Sequence, residues 1–319
     1  MSARRLPSVG VTGWEFPRAA AGVRHLVGWA ERAGLRAEPL LVGTGLARDD
    51  LDRVGTVTAA QELQVARALA RRAPHAAADV GRRYTAESFG VMGWAITSSA
   101  TVGDAADVAL RFIDLSFAFV LPVVRLEGDR VVAELDASAL PADVRRWLLV
   151  RDTTTVATVL DSLVPGGVGV VISVEGDGAT LAFPAAELDR PLVRDRGADR
   201  AAAEAACLGL ADQHRDLPPT TADVRVLVAQ RVRDGAPMGQ VAAALGMTER
   251  TLRRRLAAEG TGYREVVDQV RSGLAAQLLA VGLPVADVAA RLGYAEPAAL
   301  THAHRRWTGR APSSCRSGR

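Results

Sequence analysis

Lysine is absent from this chain of 319 residues, so all 39 of its basic groups are guanidinium. That removes the Gly-Lys-Ser/Thr phosphate loop outright. Cysteine is nearly as scarce: Cys207 and Cys315 are too few and too far apart for a disulfide framework or a metal knuckle. The five histidines are scattered, and His302 and His304, two apart on a helix, face different ways. Neither a metal nor any other cofactor is expected. No run approaches the ~18 apolar residues of a spanning helix. The start, Met1-Ser-Ala-Arg-Arg-Leu-Pro-Ser8, is basic without a following apolar region, so no signal peptide is expected. These absences point to a cytoplasmic protein with no membrane partner. No Gly-x-Ser-x-Gly turn is present and no acids are spaced as a catalytic pair, so no catalytic residue is assigned. Pro165-Gly-Gly-Val-Gly169 precedes a strand instead of following one and reads as a turn. An enzymatic N-terminal domain is disfavoured on these grounds.

What is present divides into two parts. The length suits two domains, and 49% hydrophobic residues exclude a mainly disordered chain. From Thr220 onward there are 15 arginines and eight acids, a net charge of +7; the remainder has 24 arginines and 28 acids, net −4. A basic C-terminal part beside a mildly acidic one is the footprint of a DNA-binding module joined to a sensor.

Two short helices are legible in the basic part. Residues 238–245 place Val241 and Leu245 on one face, and Gly246 ends the helix. Thr248 is a good N-cap for a second helix running to Ala258, with Glu249 in its first turn. Leu252 and Leu256 are spaced to be buried together, which sends Arg250 and Arg254 to the opposite side and Arg253 to the flank. Such a pair is either a helix-turn-helix shaped for a major groove or an ordinary hairpin with a solvated face.

The repeat decides between them. Val241-Ala-Ala-Ala-Leu-Gly246 returns as Val288-Ala-Ala-Arg-Leu-Gly293, and a helix from Pro297 through Trp307 follows. There Leu300, Ala303, His304 and Trp307 share one side; Ala298, Thr301, His302 and Arg305 share the other. Val266, Val270, Leu274 and Leu278 mark a long helix between the units. Two such units suit successive major grooves, about 34 Å apart. With Gly293, Arg306, Pro312 and Arg316 in register, this region resembles the DNA-binding domain of the AraC/XylS family of transcriptional regulators over residues 221–316. Arg271 falls where that family usually has an arginine. The chain departs from the family at Leu300 and His304, where phenylalanine is usual, and at Cys315, where an aromatic is usual. A looser second core, with His304 buried and one ring nitrogen satisfied, is the expectation.

The N-terminal part, residues 18–210, reads as an α+β sensor domain. Helices are expected over residues 18–33, 58–72, 76–84, 102–117, 141–163 and 198–210. Two hairpins, residues 119–124 with 130–135 and 168–173 with 180–183, turn at Glu127-Gly-Asp129 and Glu175-Gly-Asp-Gly178. Gly90-Val-Met-Gly-Trp-Ala-Ile-Thr-Ser-Ser-Ala-Thr-Val-Gly-Asp-Ala105 and Leu181-Ala-Phe-Pro-Ala-Ala-Glu-Leu-Asp-Arg-Pro-Leu192 resemble the ligand-binding domain of the AraC subfamily that includes ornithine-utilisation regulators. Residues 88–99 form either a helix whose glycines permit close packing or the wall of a pocket. Phe89, Met92, Trp94, Ile96, Phe112, Phe117 and Phe119 are the pocket candidates, with ordinary core as the alternative for most of them. A small, largely apolar effector is expected, since no cluster of charges stands out. Residues 211–220 read as a polar, proline-ended linker.

The whole reads as an α+β sensor followed by an all-α domain with two helix-turn-helix units joined by a long helix. The function expected is effector-controlled, sequence-specific DNA binding that regulates transcription, most often as an activator. Arg250, Arg253, Arg254, Ala298, Thr301 and His302 are assigned to base edges; Arg255, Arg305 and Arg306 are assigned to phosphates. Double-stranded DNA, a small effector and RNA polymerase are the expected partners, and the resemblance implies a homodimer. A constitutive or architectural DNA binder whose N-terminal domain only dimerises stays open.

Overall fold

A computed structural model describes residues 17–192, 197–215, 217–280 and 283–312. The basic start, Met1 to Ser8, and Cys315 and Arg316 of the C-terminal signature lie outside the described residues. The chain divides into two compact units: Met1–Gly55 with Ala59–Asp216, and Thr56–Thr58 with Leu217–Arg319. Among the described residues no helix is long and apolar enough to cross a membrane.

The first unit carries the two-residue strand β1 (Arg18–Ala19) and, around a sheet, α1 (Ala21–Arg32), α2 (Glu38–Leu41), α3 (Ala59–Arg72), α4 (Ala77–Gly81), α5 (Gly90–Thr97), α6 (Val102–Arg111), α7 (Arg145–Ser162) and α8 (Gly197–Arg215). Another two-residue strand, β2 (Thr56–Val57), belongs to the second unit. The sheet is antiparallel in the order β3-β4-β6-β5, built from β3 (Pro122–Glu127), β4 (Arg130–Asp136), β5 (Val171–Glu175) and β6 (Gly178–Pro184). Both hairpins turn where the glycine-acid signals stand, Gly128 and Gly176 having φ of 59° and 56°. Val131, Ala133 and Leu135 of β4 face Phe183, Leu181 and Ala179 of β6, pair by pair, on the buried side. The Val131–Phe183 end of this period-2 face packs in one core with Met92, Ala95 and Ile96 of α5, Val108 of α6 and Cys207 of α8. Gly93 of α5 has a packing reason: a Cβ there would lie 1.7 Å from the Ala86 carbonyl oxygen.

Several boundaries differ from the sequence pattern; the first strand of each hairpin, expected from residues 119 and 168, begins at Pro122 and Val171. The helix expected to Phe117 stops at Arg111 and passes into a 3-10 turn, Ile113–Leu115. The Phe117 and Ala118 carbonyls beyond it are taken by arginine side chains, as described below. The helix expected from Pro141 begins at Arg145, whose N–H bonds back to Pro141 O across a turn. In α8, Ala203, Cys207 and Ala211 are fully buried at i, i+4 and i+8, and the helix runs on to Arg215 through residues expected in the linker.

The second unit is helical: α9 (Pro219–Arg231), α10 (Met238–Ala244), α11 (Glu249–Ala258), α12 (Tyr263–Ala280), α13 (Val285–Arg291) and α14 (Pro297–Thr308). Helix α9, with Pro219 at its first position, was not anticipated. Among the described residues two apolar clusters form. The first joins Val224, Leu227 and Val228 of α9 to Val241, Leu252, Leu256, Val266 and Val270. The second is smaller and joins Val232, Ala275, Leu279, Val288, Leu292 and Leu300. Helix α12 serves both, and Leu274 touches each. Its Leu274 and Leu278 are only partly buried, while Ala275 and Leu279 are fully buried. A strict i, i+4 stripe drifts about 40° around the helix per step, so the second core meets a neighbouring stripe.

Candidate nucleic-acid interface and apolar cavity

The first two-helix unit is built as its residues dictate. Thr248, with extended backbone at φ −83° and ψ 157°, accepts the Thr251 N–H at 3.2 Å and caps α11. Leu252 and Leu256 are wholly buried, which turns Arg250, Arg253, Arg254 and Arg255 outward, all exposed. Arg253 lies 3.9 Å from Glu249, one turn back, and 3.8 Å from Met238 Sδ on α10. Both contacts are long and solvent-exposed and hold it weakly. The result is a cationic helix face seated on an apolar one.

The second unit repeats the frame with a less basic face. Ala298 and His302 are exposed on α14, and Thr301 is half-buried with its hydroxyl donating to Pro297 O at 3.1 Å. Arg305 is exposed; Arg306 donates from one nitrogen to both oxygens of Asp268 on α12, at 3.0 and 3.1 Å. Arg306 therefore ties α14 to the connecting helix. His304 is buried, and its Nδ1 lies 2.8 Å from the Arg310 carbonyl oxygen. A carbonyl only accepts, so that nitrogen carries the proton. Leu300 is fully buried, and the Trp307 ring sits 6.5 Å from Tyr294. The Arg271 guanidinium lies over the Tyr294 ring at 5.0 Å, a cation–π contact that fixes its place in the unit. Gly293 is required twice: its φ is +77°, and a Cβ would meet Val232 O at 2.5 Å and Arg233 O at 2.6 Å.

In the first unit, the sheet, α5, α6 and α7 line a partly open cavity of about 140 Å³. Ala105, Ala106 and Ala109 of α6 and Ala133 of β4 leave the space, because short side chains line it where larger ones would close it. Of the sequence-derived candidates it brings together Phe89, Met92, Ile96 and Phe117. Phe112 lies in the core beside it, Trp94 is 39% exposed, and Phe119 lies beneath two guanidinium groups.

Beside the cavity is a buried ionic cluster that pattern reading did not find. Arg18, Glu62, Arg151 and Asp152 are each at most 3% exposed. Arg18 donates to Phe117 O at 3.0 Å, Ala118 O at 2.8 Å and Glu62 at 3.5 Å. Arg151 donates to Phe117 O at 2.8 Å and to Asp152 at 2.6 Å, and approaches Glu62 at 3.8 Å. Asp152 accepts the Phe119 and Val120 N–H groups at 2.7 and 2.9 Å. The available signal was Arg151-Asp152, an adjacent charged pair following Leu148, Leu149 and Val150 within a helix. Burial pushes the Glu62 carboxyl up and the Arg18 guanidinium down, each opposed by the partner's charge. Cys207 is fully buried, and burial lifts its thiol to about 11, which leaves it unreactive.

Residues 34–209 match the arabinose-binding domain of AraC transcription regulators, and residues 241–318 match a helix-turn-helix domain. The chain belongs to the AraC family of transcription regulators. An HTH-type transcriptional regulator of Mycobacterium tuberculosis is 33% identical over an alignment that covers 89% of this chain and 92% of that protein. The ornithine utilization regulator of Pseudomonas aeruginosa is 27% identical over an alignment that covers 74% of this chain and 77% of its own. The crystal structure of the transcriptional regulator CdpR from the same organism aligns over 93% of this chain and 98% of its own, at 24% identity and a TM-score of 0.42. This AraC-family chain thus pairs an arabinose-binding-like sensor domain with a helix-turn-helix DNA-binding domain.

Proposed function

We propose that this AraC-family regulator binds DNA sequence-specifically under the control of a small-molecule effector and acts chiefly as an activator. The observation that carries the DNA reading is the division of α11, two fully buried leucines with Arg250 and Arg254 exposed opposite them and Arg253 and Arg255 exposed on the flanks. Arg250, Arg253 and Arg254 reach base edges, where a guanidinium donates two hydrogen bonds to guanine O6 and N7. Ala298, Thr301 and His302 face the second groove with fewer donors, so sequence demand is strict in one half-site and relaxed in the other. Arg255 and Arg305 contact phosphates; Arg306 offers phosphate only the donors left over from Asp268. The effector occupies the cavity of the first unit and shifts how the readers are presented. Family membership supports action as a homodimer, in the cytoplasm, through contact with RNA polymerase.

The test is a footprint of the purified chain on its own upstream DNA at two salt concentrations, followed by a reporter assay. Protection across two adjacent major grooves, weakened steeply by salt, is the expected result. Full affinity with no effector and no response to any metabolite would instead make it a constitutive DNA binder.

A further inference from the structure

Helix α7 and its C-cap carry Val156, Val159, Leu160 and Leu163 at i, i+3, i+4 and i+7, the stripe that packing should bury. All four line the cavity of the first unit and remain only partly buried. The short side chains of Ala109 on α6 and Ala133 on β4 leave that stripe uncovered. Five polar residues also border the space, and each turns its polar atoms into the protein. The Tyr84 hydroxyl and Arg151 Nη1 have essentially no exposed surface. Asp152 accepts two backbone N–H groups and Arg151. Ser116 Oγ accepts the Ala118 N–H at 3.1 Å, and the Thr155 hydroxyl donates to Arg151 O at 2.9 Å. The wall is therefore almost entirely carbon. A held water needs about two to four polar partners, which this wall does not supply. A sugar or a carboxylate placed inside would shed its water with nothing to replace it. The volume, about 140 Å³, is close to that of an engineered apolar cavity of roughly 150 Å³ that takes up benzene.

We propose that this cavity binds an unsubstituted hydrocarbon body, about one aromatic ring in size, without any hydrogen bond to the protein. A polar group on the ligand stays outside, at the open side of the cavity. The proposal rests on the effector reading above and names the chemical class of that effector. It excludes arabinose, the sugar in the family's description, from this cavity.

The experiment titrates the full chain with toluene, its near-isostere phenol, arabinose, and the butanoate, hexanoate and octanoate anions, by calorimetry and thermal shift. Toluene is expected to raise the melting temperature and to bind at least about tenfold more tightly than phenol, whose hydroxyl would be buried unpaired. Arabinose should not bind. Ala109→Leu, which fills the space, should raise the melting temperature of the ligand-free chain and cut toluene affinity at least about tenfold. Ala133→Val fills less, from the sheet side, and should move both readings the same way. Affinity that rises with length along the anions would make the body the tail of an amphiphile; binding of toluene alone would make it a free hydrocarbon. Both outcomes support the proposal. It is overturned if phenol or arabinose binds as tightly as toluene, if both filled variants bind toluene unchanged, or if no probe binds. Footprinting the same preparations separates the two readings. Protection of DNA without probe binding sinks the cavity chemistry alone; probe binding that leaves DNA protection unchanged sinks effector control alone.

Discussion

Gly246 and Gly293 stand at the same place in the two repeats but are held by different constraints. Gly246 has φ +65° with open space around its missing side chain, whereas Gly293 faces two carbonyl oxygens at contact distance. Gly246→Ala should therefore cost only the left-handed penalty, about 1–2 kcal/mol. Gly293→Ala should cost clearly more, because the backbone of residues 232–233 must also move. Urea denaturation of the two variants compares them directly, and equal losses would refute the close-approach account. Arg254→Ala is expected to weaken binding by about 1–3 kcal/mol at one or two base pairs only. A uniform loss on every sequence would reassign Arg254 to phosphate. His25, 4.8 Å from the Tyr84 ring, is held below its ordinary range by burial, then by Arg32 and Arg24. As pH falls, the unfolded chain takes up this proton near pH 6.5, before the folded chain does. Stability is thus full above that pH and declines as the pH falls toward the folded value. Between about pH 7 and 5.5 the wild type should lose more melting temperature than His25→Phe, which keeps the ring contact; parallel curves would exclude the effect.

At the level of elements, α7 organises the first unit by holding the loop at residues 117–120 through Arg151 and Asp152. Asp152→Ala strands a buried guanidinium and two backbone N–H groups together. The expected loss is about 3–5 kcal/mol, as for breaking a buried ion pair on one side. Equilibrium unfolding followed by tryptophan fluorescence would show it, and a loss below about 1 kcal/mol would mean that the cluster relaxes at little cost. In the second unit the elements α11 and α14 share one frame and differ in face. The leucine spacing of α11 was enough to place its arginines, because a helix with a single apolar stripe has only one way to sit on a core. The His304 substitution in α14 was equally visible, but its resolution was not. The Arg310 carbonyl that receives Nδ1 comes from beyond the end of the helix.

Across the whole molecule the charge asymmetry, +7 from Thr220 onward and −4 before it, sets how the protein responds to salt. Each phosphate contact adds about −0.9 to the slope of log affinity against log salt. Arg255→Ala should flatten that slope by about one contact per bound chain while leaving base preference intact. Fluorescence anisotropy on matched and scrambled sites at several salt concentrations measures both, and an unchanged slope would remove Arg255 from the phosphate set.

Local patterns settled much by themselves. Periodicity, caps and glycine turns suffice for the repeated helix-turn-helix, the exposed arginine face of α11, the two hairpins and the α+β class of the first unit. Each depends on interactions within a few residues, or on an apolar stripe that must be buried somewhere. The cavity and the buried ionic cluster beside it were decided only by tertiary packing. Arg18, Glu62, Tyr84 and Arg151 are distant in sequence, and their convergence depends on how α3, α7 and the loop after α6 meet. The extension of α8 and the stripe by which α12 meets its second core were settled in the same way. A sequence pattern states which side of an element avoids water; it does not state which partner will cover that side, or whether the partner fills the space.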